Sequence, residues 1–309
     1  MNKTQLMAAA VAATLLMAGC NQDENPTATQ NERALNVTGG IRALTRAHDA
    51  AWEANDAIGI FMLADATTTI SEEAENRKYL TPTGNGSFSP ATTPTDETIY
   101  FPITGQTDFV AYYPWQAIAA SEGKYLYAVD VATQTAQRAI DLMAADKVSG
   151  KDKDDTAVAF EFTHKLVKVA LTEMKAGDGL TATDLQGLTV SLTNQQTQAT
   201  YDVVTGGEVV VNTTAPASAV ALLVADNSQS AEAIVLPAAS TAGMELVFTL
   251  TSGDVYRWAL SNAAQSSAFV AGSKYSYKIT VSKKGLSVTS SITDWVQGNG
   301  ADGEDGTAE

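Results

Sequence analysis

Hydrophobic and polar positions change rhythm twice in the first fifty residues. Leu6 to Ala18 is a mostly apolar run behind Lys3, and it ends at Gly19-Cys20. The run is too short to cross a hydrocarbon core of about 30 Å as a helix. Asn21 to Asn31 is polar and contains Pro26, the composition of an extended tether. Period-two alternation then begins: Ala34-Leu-Asn-Val-Thr38 alternates, Gly39-Gly40 predicts a turn, and Ile41-Arg-Ala-Leu-Thr-Arg46 alternates again. Together these predict one strand, whole or broken.

Strand patterns continue from Trp52 onward. Ala57 to Leu63 is almost wholly apolar, as in a strand covered on both faces. The following thirty residues read as loop, with a turn at Thr83-Gly-Asn-Gly86. Ile99-Tyr-Phe101 and Asp108 to Tyr113 are predicted strands closed by Pro102 and Pro114, where a residue lacking an N–H is tolerated. Tyr125 to Val131 alternates; Asp141 to Asp146 fits either a strand or a short helix. The polar run Ser149 to Asp155 predicts a domain boundary. Beyond it, Ala157–Phe162, Leu166–Glu173, Leu188–Thr193 and Glu208–Asn212 are strand-like. Met244 to Leu250 and Val255 to Leu260 flank Ser252-Gly-Asp254 and predict a hairpin. Tyr275, Tyr277, Ile279 and Val281 alternate with polar residues; Lys283-Lys-Gly285 predicts a turn into Leu286–Thr293, which alternates too. Asn299 to Glu309 is an acidic, Gly-rich tail. Many short strands and little helical periodicity predict an all-β chain of two tandem antiparallel β-sandwich domains, 47–155 and 156–309.

Candidate chemistry is concentrated at the start. Residues 1–19 have the layout of a signal peptide, and Met17-Ala-Gly-Cys20 that of a lipobox. Small residues before Cys20 leave the backbone open to signal peptidase II, next to a thiol carrying diacylglycerol. The alternative is a general secretory signal with an incidental Cys20. No later stretch approaches 18 consecutive apolar residues, so lipid is the predicted membrane attachment. Cys20 is the one cysteine of the chain, so no intramolecular disulfide can form. The formal charge of -16 disfavours nucleic acid as a partner.

Elsewhere the search returns negatives. Two histidines, His48 and His164, leave little material for a zinc site or a Cys-His pair, and no metal, cofactor or catalytic residue is assigned. His164, between strand-like runs, reads as structural. Asp152, Asp154 and Asp155 lack the glycine and distal Glu of a calcium loop. Gly298-Asn-Gly300-Ala-Asp-Gly303 matches a dinucleotide fingerprint, but no helix follows it. Tyr112, Tyr113 and Trp115 could stack on a sugar, although Phe109, Ala111 and Tyr113 share one strand face and read as core.

Five segments carry a resemblance over nearly the whole chain: Trp52–Ile60, Phe109-Val-Ala-Tyr-Tyr-Pro114, Phe162-Thr-His-Lys-Leu-Val-Lys-Val169, Gly272-Ser-Lys-Tyr-Ser-Tyr277 and Ile292-Thr-Asp-Trp295. In this order and behind a lipobox they resemble the fimbrillin family, the type V pilin subunits and related surface lipoproteins of anaerobic Gram-negative bacteria. The resemblance implies two transthyretin-like, Greek-key sandwiches and a non-enzymatic subunit of adhesive cell-surface fimbriae. It also implies lipoprotein export machinery, an outer-membrane precursor held through Cys20, and cleavage by an arginine-specific surface protease. The bond matching that cleavage is Arg46-Ala47, with Arg42 and Arg33 as alternatives and Arg46 as a mere surface arginine as the bland reading. Cleavage removes the lipidated tether 20–46, with the strand made of Ala34–Thr38 and Ile41–Leu44. The groove so opened accepts a strand from another copy or another fimbrial subunit. In the family the donor is C-terminal, yet Gly298 to Glu309 has almost nothing apolar to insert. Either Leu286–Val296 swings out, presenting Leu286, Val288 and Ile292, or the subunit donates nothing and is a tip, an anchor or a monomer. The competing reading is a permanently lipidated glycan-binding surface lipoprotein using Tyr113 or Trp115.

Overall fold

The computed structural model describes residues 33–42, 51–263 and 266–295. Cys20, Leu44, Arg46, Ala47 and His48 lie outside them. The first nine strands are β1 (Asn36–Ile41), β2 (Asp56–Ala64), β3 (Arg77–Thr81), β4 (Ser87–Pro90), β5 (Thr107–Tyr113), β6 (Leu126–Asp130), β7 (Met143–Ala145), β8 (Val148–Lys151) and β9 (Ala157–His164). One helical turn, α1 (Gln137–Ile140), precedes β7. The later strands are β10 (Val167–Ala176), β11 (Thr189–Gln195), β12 (Gln198–Asp202), β13 (Val210–Val211), β14 (Ser218–Ala221), β15 (Leu223–Val224), β16 (Ala231–Val235), β17 (Glu245–Thr249), β18 (Val255–Ala259), β19 (Ser273–Ser282) and β20 (Gly285–Asp294). The chain is all-β.

The first body is a sheet closed on itself. Its order is β2-β3-β4-β1-β9-β7-β5-β8, and β5 also pairs with β2, from Gly59 opposite Tyr112 to Ala64 opposite Thr107. A barrel-like ring therefore replaces the two-layer sandwich expected here. The reason lies in β2 and β5, which are apolar on both faces and need cover on both. Ile58, Ile60 and Met62 of β2 point inward with Phe109, Ala111 and Tyr113 of β5. Phe61, Leu63, Val110 and Tyr112 point outward, where Tyr127, Val129, Ala199 and Tyr201 of the β13-β12-β6 sheet cover them.

In the second body, β15-β16-β10-β19-β20 and β14-β11-β17-β18 send side chains into one apolar cluster that includes Val169, Leu192, Phe248 and Tyr277. The β17–β18 hairpin forms as predicted, Thr249 opposite Val255, with Gly253 in the left-handed region. Along β19 buried positions alternate with more exposed ones from end to end.

Several local expectations change. Gly39-Gly40 is not a turn: β1 runs straight through it. Ile99 to Phe101 is no strand but makes a single bridge, Tyr100 to Ala34. The segment read as loop after Leu63 contains β3 and β4. Asp141 to Asp146 resolves into β7, and the polar run Ser149 to Asp155 into β8 and a turn in which the Asp154 and Asp155 amides donate to Asp152 Oδ1. Strand β9, beyond residue 155, completes the ring through β1 and β7, and the chain enters the second body at β10.

Candidate functional site

The N-terminal strand β1 is an interior strand. It pairs in parallel with β9 along its whole length, Asn36 opposite Ala157 to Ile41 opposite Phe162, and antiparallel with β4 at Val37 and Thr38. Leu35, Val37 and Gly39 are buried, Ile41 packs against the same core, and Asn36, Thr38 and Gly40 face outward. Alternation in the sequence thus corresponds to a strand whose inner face completes the barrel core.

Gly39 sits where a side chain would crowd the edges of two aromatic rings, Phe88 and Phe162. Trp52 stands over it, its ring edge-to-face with Phe88 at 5.1 Å, Tyr113 at 5.3 Å and Phe162 at 5.2 Å. The Trp52 indole Nε1 donates to the Gly39 carbonyl at 2.7 Å. On the other side the Gly39 amide donates to the Gly86 carbonyl at 2.8 Å. A Cβ on Gly86 would meet the Gly39 carbonyl oxygen at 2.6 Å, and Gly86 has φ +82°, so glycine is required there twice over. Phe88 and the Trp52–Gly39 bond were not singled out from the sequence; neither residue spacing nor periodicity reports them.

The end of β1 is fastened more loosely. The Arg42 amide donates to the Phe162 carbonyl, and its guanidinium lies 3.2 Å from Glu161 and 3.8 Å from Asp146, with half its side chain exposed. Exposed pairs of this kind contribute little, about 0–1 kcal/mol. A cavity of about 220 Å³ opens there, lined among others by Ile41, Ala51, Trp52, Arg138, Glu232 and Trp295. Ile41 and Ala51, before and after the segment that contains Arg46, both line this cavity.

The three C-terminal site residues lie on β20, an edge strand whose single partner is β19. Leu286 and Val288 pack at the margin of the second core, and Ile292 is exposed. Trp295, just past β20, is buried and stacks on His164 at 4.1 Å with rings nearly parallel. His164 Nδ1 is 2.9 Å from Asp141 Oδ1, which fits its structural reading. The structure thus brings Ile41 and Trp295 to one cavity, while Leu286 and Val288 stay on the other body.

Of the two candidate sugar-stacking rings, Tyr113 is buried and Trp115 is half-buried. Tyr113 is 5% exposed, its hydroxyl donates to Asp56 at 3.1 Å, and burial, reinforced by the Asp56 carboxylate, pushes its pKa upward. Trp115 donates its indole N–H to the Asn76 carbonyl, and Lys78 lies over its ring at 4.5 Å. Among the described residues no group of three or more His, Cys, Asp or Glu is placed to hold a metal ion. No helix among them is long and apolar enough to cross a membrane.

Comparison with known proteins shows the family. Residues 45–295 match the family model described as fimbrillin-like. The chain belongs to the fimbrillin-like family. A curated family relative, "Putative fimbrium subunit Fim1C" of Bacteroides uniformis, is 51% identical over 99% of this chain and 100% of its own length. The crystal structure of a "putative cell adhesion protein" from the same species is 51% identical, covers 86% of this chain and 99% of that one, and superposes with a TM-score of 0.76. Another so described, from Bacteroides ovatus, is 25% identical, covers 87% and 99%, and has a TM-score of 0.71. The five motifs fall within the fimbrillin-like match, and the aromatic box around Gly39 draws on three of them: Trp52, Tyr113 and Phe162.

Proposed function

We propose that this chain is a structural, non-enzymatic subunit of adhesive cell-surface fimbriae. In this reading it is exported as a lipoprotein, held in the outer membrane through Cys20, activated by cleavage after Arg46, and assembled by strand exchange. The observation that carries it is β1: the first strand described, followed by the segment containing Arg46, fills an interior place in a closed sheet. Removing it would leave unpaired ladder groups on β4 and β9 and empty the sites of Leu35, Val37 and Ile41. Each such side chain contributes about 1.5–3 kcal/mol when buried, so the emptied barrel would strongly favour a replacement strand. The fimbrium relative supports the reading, as do the facing sheets β15-β16-β10-β19-β20 and β14-β11-β17-β18, which suit a transthyretin-like sandwich following the rolled first body in tandem.

Two observations count against the other two arginines. Cleavage after Arg33 would leave β1 attached. At Arg42 the amide is held by Phe162, whereas a protease needs backbone free of ladder bonds. Partners are then other copies or other fimbrial subunits, the arginine-specific protease and the lipoprotein export machinery with signal peptidase II. N-terminal sequencing of protein sheared from cells tests this: a chain starting at Ala47 is expected, and one still starting at Cys20 refutes maturation. A Cys20→Ala precursor should fold but fail to reach the surface.

A further inference from the structure

The chain that leads from Cys20 enters the barrel beside an exposed apolar loop. The Phe101 amide donates to the Arg33 carbonyl at 3.1 Å, Tyr100 bridges to Ala34, and the Leu35 amide donates to the Ile99 carbonyl at 2.9 Å. Residues 99–106 therefore flank the point of entry. In this loop Tyr100 is 42% exposed and Ile103 is 65% exposed, and no residue from 99 to 106 is charged. A lone exposed apolar side chain needs no explanation. Two on one uncharged loop, where a lipidated chain would arrive, point to a surface that they meet.

Neighbouring loops share this character. Thr107 pairs with Ala64, which brings residues 65–70 alongside, and residues 66–70 are uncharged as well. Residues 91–95, just after β4, are Ala-Thr-Thr-Pro-Thr. Carboxylates near this end are largely matched: Asp108 with Lys147 at 2.8 Å, Asp154 with Lys153 at 2.9 Å, Asp155 with Lys151 at 2.7 Å and Glu97 with Arg77 at 3.7 Å. Asp65, Asp96 and Asp152 have no ion pair among the described residues, so the end suits neutral, zwitterionic headgroups better than anionic ones.

We propose that loop 99–106 is the membrane-facing surface of the lipidated precursor, with Tyr100 and Ile103 entering the headgroup region. Arg33 is thirteen residues beyond Cys20, so even a fully stretched chain holds the loop within about 45 Å of the lipid. At such range the effective concentration of the surface is high, and even a contact of two side chains is populated. The contact also sets orientation. β1 carries the chain about 20 Å from Leu35 to Ile41, and Ile41 and Ala51, on either side of the Arg46 segment, lie together at the barrel's other end. With Ile103 on the membrane, both ends of that segment are turned away from lipid, toward a soluble protease. This rests on the lipoprotein and cleavage readings and deepens them, because it names the surface on which the precursor lies.

Lipid quenching tests it. The full-length chain, acylated at Cys20, is placed in phosphatidylcholine vesicles whose acyl chains carry a nitroxide near the headgroup. One chain bears a fluorophore through Thr104→Cys, another through Ser252→Cys on the exposed turn of the β17–β18 hairpin. Quenching should be several-fold stronger at 104 than at 252. Equal quenching on vesicle-bound protein would overturn the membrane face and leave the anchor standing. An acylated chain that does not sediment with vesicles would overturn the anchor, and this inference with it. In a Cys20→Ser chain free of vesicles, a signal at 104 that shifts with protein concentration would mean that a second copy covers the loop, which also overturns it. Ile103 is exposed, so Ile103→Asp should leave the fold intact while cutting quenching at 104 about threefold or more; unchanged quenching would contradict its role. The same variant should slow arginine-specific cleavage of vesicle-bound chain but not of the Cys20→Ser chain in solution. Cleavage on vesicles at the wild-type rate would contradict the orientation.

Discussion

A methyl group at position 39 would lie 2.9 Å from the Phe88 ring, so Gly39→Ala should destabilise the uncleaved chain by about 1–3 kcal/mol, the usual range for overpacking a filled core. Denaturant melts before and after cleavage at Arg46 check this, because the difference must vanish once residues 1–46 are gone. Asp108 offers a pH test at the same scale. It is 1% exposed; burial alone would raise its pKa, but Lys147 Nζ at 2.8 Å and the Gly150 and Ala66 amides hold it below the ordinary value of 3.8. A carboxylate depressed in the folded state stabilises above its unfolded pKa, and that contribution is lost as pH falls below it. Asp108→Asn should therefore unfold more readily than wild type at pH 7, with the gap between the two narrowing below about pH 4 in thermal melts across pH.

Elements differ in how plainly the sequence announces them. β19 was legible because one face meets a core and the other meets water, and period-two alternation records that contrast. The continuous apolar run of β2 signalled cover on both faces, but not that the cover would come from closure onto β5 and from the β6 sheet. Closure depends on partners, which periodicity does not name. β3 and β4 are short, and their apolar positions are too few to stand out; Tyr79 and Phe88 are nevertheless buried. Gly39-Gly40 is a strand rather than a turn for a physical reason: glycine marks both turns and close approach, and at Gly39 the neighbours that crowd a side chain are Phe88 and Phe162. The candidate site was legible as an alternating strand before an arginine, whereas its aromatic lid required the fold.

Trp295 belongs to the element scale too, since it fastens the end of β20 against His164 while the strand itself lies at an edge. Trp295→Ala should cost about 3–5 kcal/mol locally and speed hydrogen exchange across Gly285–Asp294, leaving the β17–β18 hairpin unchanged. Equal protection in both variants would mean that pairing with β19 alone holds β20 in place.

At the scale of the whole molecule, the proposed maturation rests on two features. The closed barrel of the first body is complete while β1 occupies it, so the uncleaved chain offers no interior vacancy to a neighbour. The formal charge of -16 further discourages copies from meeting by chance, so the proposed assembly would have to draw on apolar complementarity in the groove. The central claim is that loss of residues 1–46 converts a closed monomer into a polymerising subunit. Sedimentation and electron microscopy of the purified chain, before and after arginine-specific proteolysis, test it most directly. Monomers before cleavage and filaments of chains beginning at Ala47 afterwards are expected; filaments of uncleaved chains, or cleaved chains that remain monomeric, would contradict it.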